Sequence, residues 1–191
     1  MNQSAFTPFF SDAEPCIALE TAQDVWAREN LLDRSFGAEE RRRKTCERLR
    51  ENRLPAQGLA FSAHVDGVLI GTLRFWSIGA GSSHEALLLG PIAIDPNLRS
   101  RGLGQKMIAL GLERAKALGH GAVLLVGDAP YYERFGFSRA GVENLDLPGP
   151  VDLNRFLALE LQQGALDGAR GLLRATGAFD LAATPDWLCA A

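Results

Sequence analysis

The sequence has little of what several function classes require first. No apolar run approaches the ~18 residues of a membrane span, and "ALLLGPIAI" from Ala86 to Ile94 is as far as any goes. No membrane partner is therefore expected. The opening "MNQSAFTPFFSDAEPC" has neither a basic start nor a sustained apolar stretch, so no secretory leader is expected either. Cysteine is scarce: Cys16, Cys46 and Cys189 are odd in number and lack ligand spacing. That argues against a disulfide framework or a metal site and for reduced thiols in a cytoplasmic setting. An excess of one charge is missing too, since 20 Lys and Arg against 23 Asp and Glu leave a net charge of -3. General attraction to nucleic acid is not expected.

What is present is an ordinary globular composition, 47% hydrophobic and 23% charged over 191 residues. Such a length buries roughly 70% of the extended chain's surface, around one substantial core. One stretch breaks the charge balance: "EERRRKTCERLRENR", Glu39 to Arg53, with seven basic and four acidic residues. Glu39 with Arg43 and Glu40 with Lys44 have helical pair spacing, which predicts a helix with a solvated face. The alternative is a basic rim that guides an acidic substrate or cofactor.

Upstream, "TAQDVWARENLLDRSFG" predicts a helix capped at Thr21, stopped at Gly37 and burying Val25, Leu32 and Phe36. "GLAFSAHVDGVLIGTLRFWSI" alternates around Asp66 and Gly67, the signal of a tight hairpin. Gly79 to Glu85 is small and polar and predicts a loop. The following "LLLGPIAI" is apolar on both faces, as in a central strand, yet contains Pro91, which cannot donate to a ladder. A β-bulge at Gly90 and Pro91 reconciles the two and would turn the backbone of Ile92, Ala93 and Ile94 toward an extended, amide-bearing ligand.

Directly after comes "NLRSRGLGQKM", then apolar residues at helical spacing, Leu103, Met107, Leu110, Ala115 and Leu118, to a stop near Gly119. One reading is a tight turn with Arg99 and Arg101 solvated. The other is an anion cradle, because a helix N-terminus aims free N–H groups forward and Gly102 and Gly104 let a phosphate approach the backbone. The Gly-Lys-Ser/Thr ending of a Walker loop is absent, and Met107 stands where a dinucleotide fingerprint needs glycine.

The remaining pattern, Arg-x-x-Gly-x-Gly between strand and helix, resembles the signature of the GNAT superfamily of acyl-CoA-dependent N-acyltransferases. "AVLLVGD" leads into "APYYERFGF", in which Tyr132, Gly136 and Phe137 match that family's second landmark. The form "GDAPYYERFGF" resembles one bacterial branch of predicted acetyltransferases, over about Ile17 to Leu161. Leu125 stands where many members begin the last helix with asparagine, so that helix should start later, near Pro130.

The resemblance implies an α/β fold of the mixed α+β kind. Its sheet is central and mostly antiparallel, with a bulged, splayed parallel strand pair and flanking helices. It implies a catalytic domain over 1–162 and a C-terminal extension over 163–191, whose apolar end covers either its own sheet or a partner in a homodimer. The co-substrate implied is acetyl-CoA. Its pyrophosphate would lie on Arg99, Ser100, Arg101, Gly102, Leu103, Gly104 and Gln105, and its pantetheine along Ile92, Ala93 and Ile94. An amine of a small molecule or polypeptide would attack the thioester directly in a ternary complex. A non-catalytic acyl-CoA sensor is the alternative. Tyr132 would protonate the departing thiolate. Tyr131 points about 100° away on a helix, so one of the two faces the cofactor, and the spacing to Gly136 selects Tyr132. Glu85 is the candidate base, ahead of His84 and His64, and Trp26, Phe36 and Trp76 are candidate walls of the acceptor pocket.

Overall fold

The computed structural model describes residues 13–181. Most of the N-terminal stretch tested for a leader, Cys189 and the last part of the apolar C-terminal end lie outside the described residues. The sheet runs in the order β1 (Cys16–Leu19), β2 (Ala60–Val65), β3 (Val68–Ala80), β4 (His84–Ile94), β5 (Ala122–Val126) and β7 (Phe156–Glu160). β6 (Leu145–Asp146) pairs with β8 (Gly171–Ala175), which in turn pairs antiparallel with the end of β3. All neighbours along the main order are antiparallel except β4 and β5. The expected hairpin forms at Asp66 and Gly67, with φ of 50° and 76°, the left-handed pair that a two-residue turn requires.

Among the described residues four helices flank the sheet: α1 (Val25–Phe36), α2 (Ala38–Arg43), α3 (Leu103–Ala117) and the single turn α4 (Ala129–Tyr132). α3 packs Leu103, Met107, Ile108, Leu112 and Ala115 against Leu73, Phe75, Leu87 and Leu89 on one face of the sheet. Leu110 and Leu118, expected in that stripe, are exposed instead. The buried stripe turns through Ile108 and Gly111 because α3 and β3 nearly touch: a Cβ on Gly111 would stand 2.6 Å from the Phe75 ring. The opposite face carries Trp76, Ile78 and Leu88, covered by Cys46 and Leu49 and, farther along, by Leu145, Leu166 and Leu173.

The basic stretch is not one helix. α2 ends at Arg43, Lys44 is extended with ψ of 137°, and a separate 3-10 turn spans Thr45–Leu49. Beyond the break Cys46 and Leu49 are buried in the core. Arg42 pairs with Glu39, in place of the expected Glu39–Arg43 and Glu40–Lys44 pairs. Val25 is exposed in α1, and Arg28, Leu31 and Leu32 are the residues it buries. No helix of the described residues is long and apolar enough to cross a membrane.

Candidate active site

The site begins with an irregularity in β4. Leu73 lies opposite Ile92 and Phe75 opposite Leu89, so Gly90 and Pro91 together face the single Arg74. This is the expected bulge, and the Gly90–Pro91 peptide is cis. The Trp76 indole N–H donates to the Gly90 carbonyl at 2.6 Å and pins the bulge from the face opposite α3. β4 and β5 are paired only at Leu87 with Val123 and Leu88 with Leu124. Beyond that point they part, because β4 bends away while β5 remains laddered to β7 as far as Val126. A gap opens between Gly90 on one side and Gly127 on the other.

The loop after β4 curls beneath this gap. Asp95 caps a short turn by accepting from the Asn97 N–H at 3.0 Å, and the Arg99 side chain donates back to the Ile94 carbonyl at 3.2 Å. Ser100 and Gly102 have φ of 64° and 81°. Gly102 then caps α3, whose first intrahelical bond runs from the Lys106 N–H to the Gly102 carbonyl at 3.0 Å, leaving the earlier N–H groups free as donors. A Cβ on Gly102 would have no heavy atom within 4 Å. Open space therefore stands before a cluster of donors at the positive end of a 15-residue helix, the physical requirement for holding pyrophosphate.

The cavity at this loop has a volume of about 680 Å³. Ile92, Ala93, Ile94, Arg99, Ser100, Gly102, Leu103, Gly104 and Gln105 all line it, with Ser35, Phe36 and Leu98 closing the far side. Arg101 does not belong to the lining and is exposed to solvent. Tyr131 lines the cavity and Tyr132 does not. The two rings meet edge to face at 5.1 Å, and the Tyr131 hydroxyl lies 3.4 Å from where a Gly104 Cβ would sit. Relative to this cavity the structure thus reverses the orientation expected from spacing. Tyr132 packs over Gly127 and against Phe137, beside the β5 edge of the gap. Burial, and next the neighbouring Tyr131, push its phenol up to about 12.

Glu85 is in the wrong place for a base. It is the second residue of β4, five residues before Gly90, hence about 17 Å along the strand at ~3.3 Å per residue. It is exposed at the end of the sheet where His120 lies. His84 is held by the Asp167 carbonyl at 2.9 Å and His64 by Asp24 at 2.8 Å. Of the expected acceptor walls, Phe36 lines the cavity, Trp76 is buried under the bulge and Trp26 is 79% exposed. Among the described residues no group of three His, Cys, Asp or Glu side chains can hold a metal ion.

The profile of the acetyltransferase (GNAT) family matches residues 22–137, a span that takes in the bulged strand, the cradle and both tyrosines. The chain belongs to that family. It is 30% identical over 158 residues to the uncharacterized N-acetyltransferase YhbS of Escherichia coli K12, covering 82% of this chain and 93% of YhbS. A crystal structure of Escherichia coli YhbS in complex with CoA superposes with a TM-score of 0.72 at 29% identity, over 88% of this chain and 92% of that one. A GNAT family acetyltransferase from Brucella melitensis, in complex with acetyl-CoA, shares the fold with a TM-score of 0.60 at 24% identity, over 77% and 88% of the two chains. The mixed sheet with β4 and β5 as the parallel pair of its main order is the GNAT fold, and the protein is an acetyl-CoA-dependent acyltransferase of the GNAT type.

Two site features escaped the sequence reading. Tyr131 lines the cavity because α4 is a single turn whose direction is set by Pro130 and the Asp128 cap, and the spacing of the family landmark does not encode that direction. Arg50 reaches Gly90 from the 3-10 turn, with its Nη2 3.4 Å from the position of a Gly90 Cβ. Its only sequence signal was membership in a basic run whose other members are surface residues or are paired elsewhere.

Proposed function

We propose that the protein transfers the acetyl group of acetyl-CoA to a primary amine by direct attack within a ternary complex. The observation that carries this reading is the continuity of one cavity from the α3 cradle to the bulged strand. A pyrophosphate on the free N–H groups of 102–105 and an amide-bearing arm along Ile92–Ile94 would bring a thioester to the gap beside Gly90. The residues present fit that co-substrate.

At the gap the amine nitrogen bonds to the acetyl carbon, the carbon–sulfur bond breaks, and the sulfur leaves as thiolate. The Ile92 N–H is the donor we assign to the oxyanion, where charge develops only in the transition state. We assign the proton for the thiolate to Tyr132, at the β5 edge of the gap, and a contact with the arm of the co-substrate to Tyr131. With its phenol raised to about 12, Tyr132 is protonated at every working pH. It is a weaker acid than the ~8.5 thiol it would regenerate, so proximity must supply what acidity does not. With Glu85 remote, the amine enters as free base and its proton leaves to water.

Tyr132→Phe keeps the ring packing and removes the donor. Its kcat should fall ~100-fold or more while acetyl-CoA affinity holds, and Tyr131→Phe should instead weaken acetyl-CoA binding with a smaller effect on kcat. Single-turnover assays and calorimetry separate the two. An unchanged Tyr132→Phe rate in single turnover removes Tyr132 from the chemistry. Gly102→Val places a branched side chain in the cradle, and undiminished affinity would overturn the pyrophosphate assignment. Saturable acetyl-CoA binding with no amine-dependent CoA release would make the protein a sensor.

A further inference from the structure

The gap has two rims, and each carries a guanidinium. On the β4 rim, the Arg50 Nη2 reaches Gly90. On the β5 rim, the Arg155 Nε donates to the Gly127 carbonyl at 3.3 Å. Lys44 is a third cation: its ammonium lies 4.2 Å over the Phe36 ring, which lines the cavity. Burial, then Arg50, then Arg155 depress the Lys44 pKa, so all three cations feel one another. Against them stand Glu47, 3.7 Å from Arg50, Glu40, which acts on Lys44, and Asp128, the cap of α4.

Arg50 is the one of the three that is not exposed. Its side chain is 12% exposed, and its Nε is sealed from solvent with no hydrogen-bond partner. A buried guanidinium with an idle donor is costly unless something supplies the missing acceptor. A planar fork is matched by a carboxylate or phosphate, which can accept from two of its N–H groups at once.

We infer that the acceptor is a small amine that carries its own anionic oxygen group, a carboxylate or phosphate, held by Arg50 with Arg155 and Lys44 completing the positive field. The inference rests on the acetyl-transfer reading and narrows its substrate class. Geometry sets the size. The same Gly90 Cβ position is 3.9 Å from the Ile92 nitrogen and 3.4 Å from Arg50 Nη2, so oxyanion donor and fork are no farther apart than those two distances together. Only a few bonds fit between the attacking nitrogen and the anion. An α-amino acid or a short aminoalkyl phosphate has that separation, and a lysine side chain within a folded protein does not.

The test sets amino acids and aminoalkyl phosphates against the matching amino-acid carboxamides and neutral alkylamines. Acetyl-CoA is the donor and CoA release the readout. At least one anionic amine should exceed its neutral counterpart in kcat/KM by ~100-fold, because charge-assisted bidentate pairs are strong when desolvated. The anion that wins, carboxylate or phosphate, identifies the source of the shared chemistry. Arg50→Met should shrink the ratio to within about fivefold, Arg50→Lys should give an intermediate ratio, and the acetyl-CoA Kd of each should match the wild type, which shows that the fold is intact. Equal turnover of anionic and neutral partners by the wild type overturns the inference and leaves acetyl transfer standing. So does an Arg50→Met variant that slows both in proportion, since Arg50 would then act on the thioester. Anionic amines that neither react nor raise the Tm of the CoA-loaded protein overturn it as well. Absence of any acetyl-CoA binding by the wild type instead removes the acetyltransferase reading, and this inference with it.

Discussion

Two arginine clusters lie on the same side of the sheet, and they are built on opposite plans. In the first, Glu20 from the end of β1 accepts from both Arg28 and Arg74, with Arg74 Nε at 2.8 Å. Glu29 accepts from Arg28 and Arg41, and Asp33 from Arg41 at 2.6 Å. Three carboxylates meet three guanidiniums, and the network ties α1 and α2 to β3. In the second, around Arg50, Lys44 and Arg155, Glu47 stands no nearer to Arg50 than 3.7 Å and one buried donor is idle. The balanced cluster has nothing left to offer a ligand. The under-paired one keeps a donor in reserve, so residues of one type serve as scaffold in one place and, on our inference, as a receptor in the other.

The largest effect that sharpens this contrast should come from Glu20→Gln. Glu20 and Arg28 have side chains only 7% exposed, and Arg74 is 14% exposed. A neutral amide leaves Arg74 without its counter-charge and Arg28 with Glu29 alone, a loss of about 3–5 kcal/mol in urea unfolding. A Glu20→Gln protein as stable as the wild type would break the claim that the first cluster is structural.

Acid should act on the balanced cluster next. Burial works to raise the Glu29 carboxyl, but hydrogen bonds from Arg41 and then Arg28 outweigh it and hold the pKa below its usual 4.5. The folded state therefore binds the proton less readily than the unfolded one. The stabilisation is complete above the unfolded value and fades as the pH falls through the lower folded value. Asp24 adds to the same limb, since bonds from the Thr21 N–H and His64 overcome its burial and lower it from 3.8. Glu29→Gln should flatten the fall in Tm below pH 5, and an unchanged acid limb would show that the network adds nothing.

The smallest effect belongs to Arg50→Met. Removing an under-paired buried cation and filling its volume should leave unfolding free energy within about 1 kcal/mol of the wild type, or raise it. A loss comparable with that of Glu20→Gln would mean the two clusters are alike after all, and that Arg50 holds the fold together.

The same contrast marks how far the sequence could be read. Asp66 with Gly67, the conflict of Pro91 with an apolar run, and the glycines after Arg99 specify local backbone geometry, so hairpin, bulge and cradle were each legible from a few residues. The helix expected from Glu39 to Arg53 failed because local propensity favoured continuity while Cys46 and Leu49 were needed across the sheet by Trp76 and Leu88, a demand that is tertiary. Glu85 was placed by its strand and not by its distance along it. Which of Tyr131 and Tyr132 lines the cavity depends on how α4 meets β5, and so does the meeting of Arg50 with Gly90 depend on packing. The fold is written in patterns of neighbours. The acceptor side of the site is written in contacts between residues far apart in the chain.

One strand has a consequence in the order of assembly. β8 lies against the last three residues of β3, pairing Ile78 with Ala175 across roughly a hundred positions of chain, and Leu173 enters the core with Leu166 and Ala169. During synthesis, β2, β3 and β4 can zip together as a meander long before β8 leaves the ribosome. Until then β3 presents a bare edge next to uncovered apolar side chains, the combination that invites pairing with a neighbouring chain. The late strand is thus the molecule's own edge guard, and a chain cut before Gly171 should fold its cradle yet form aggregates that the intact chain avoids.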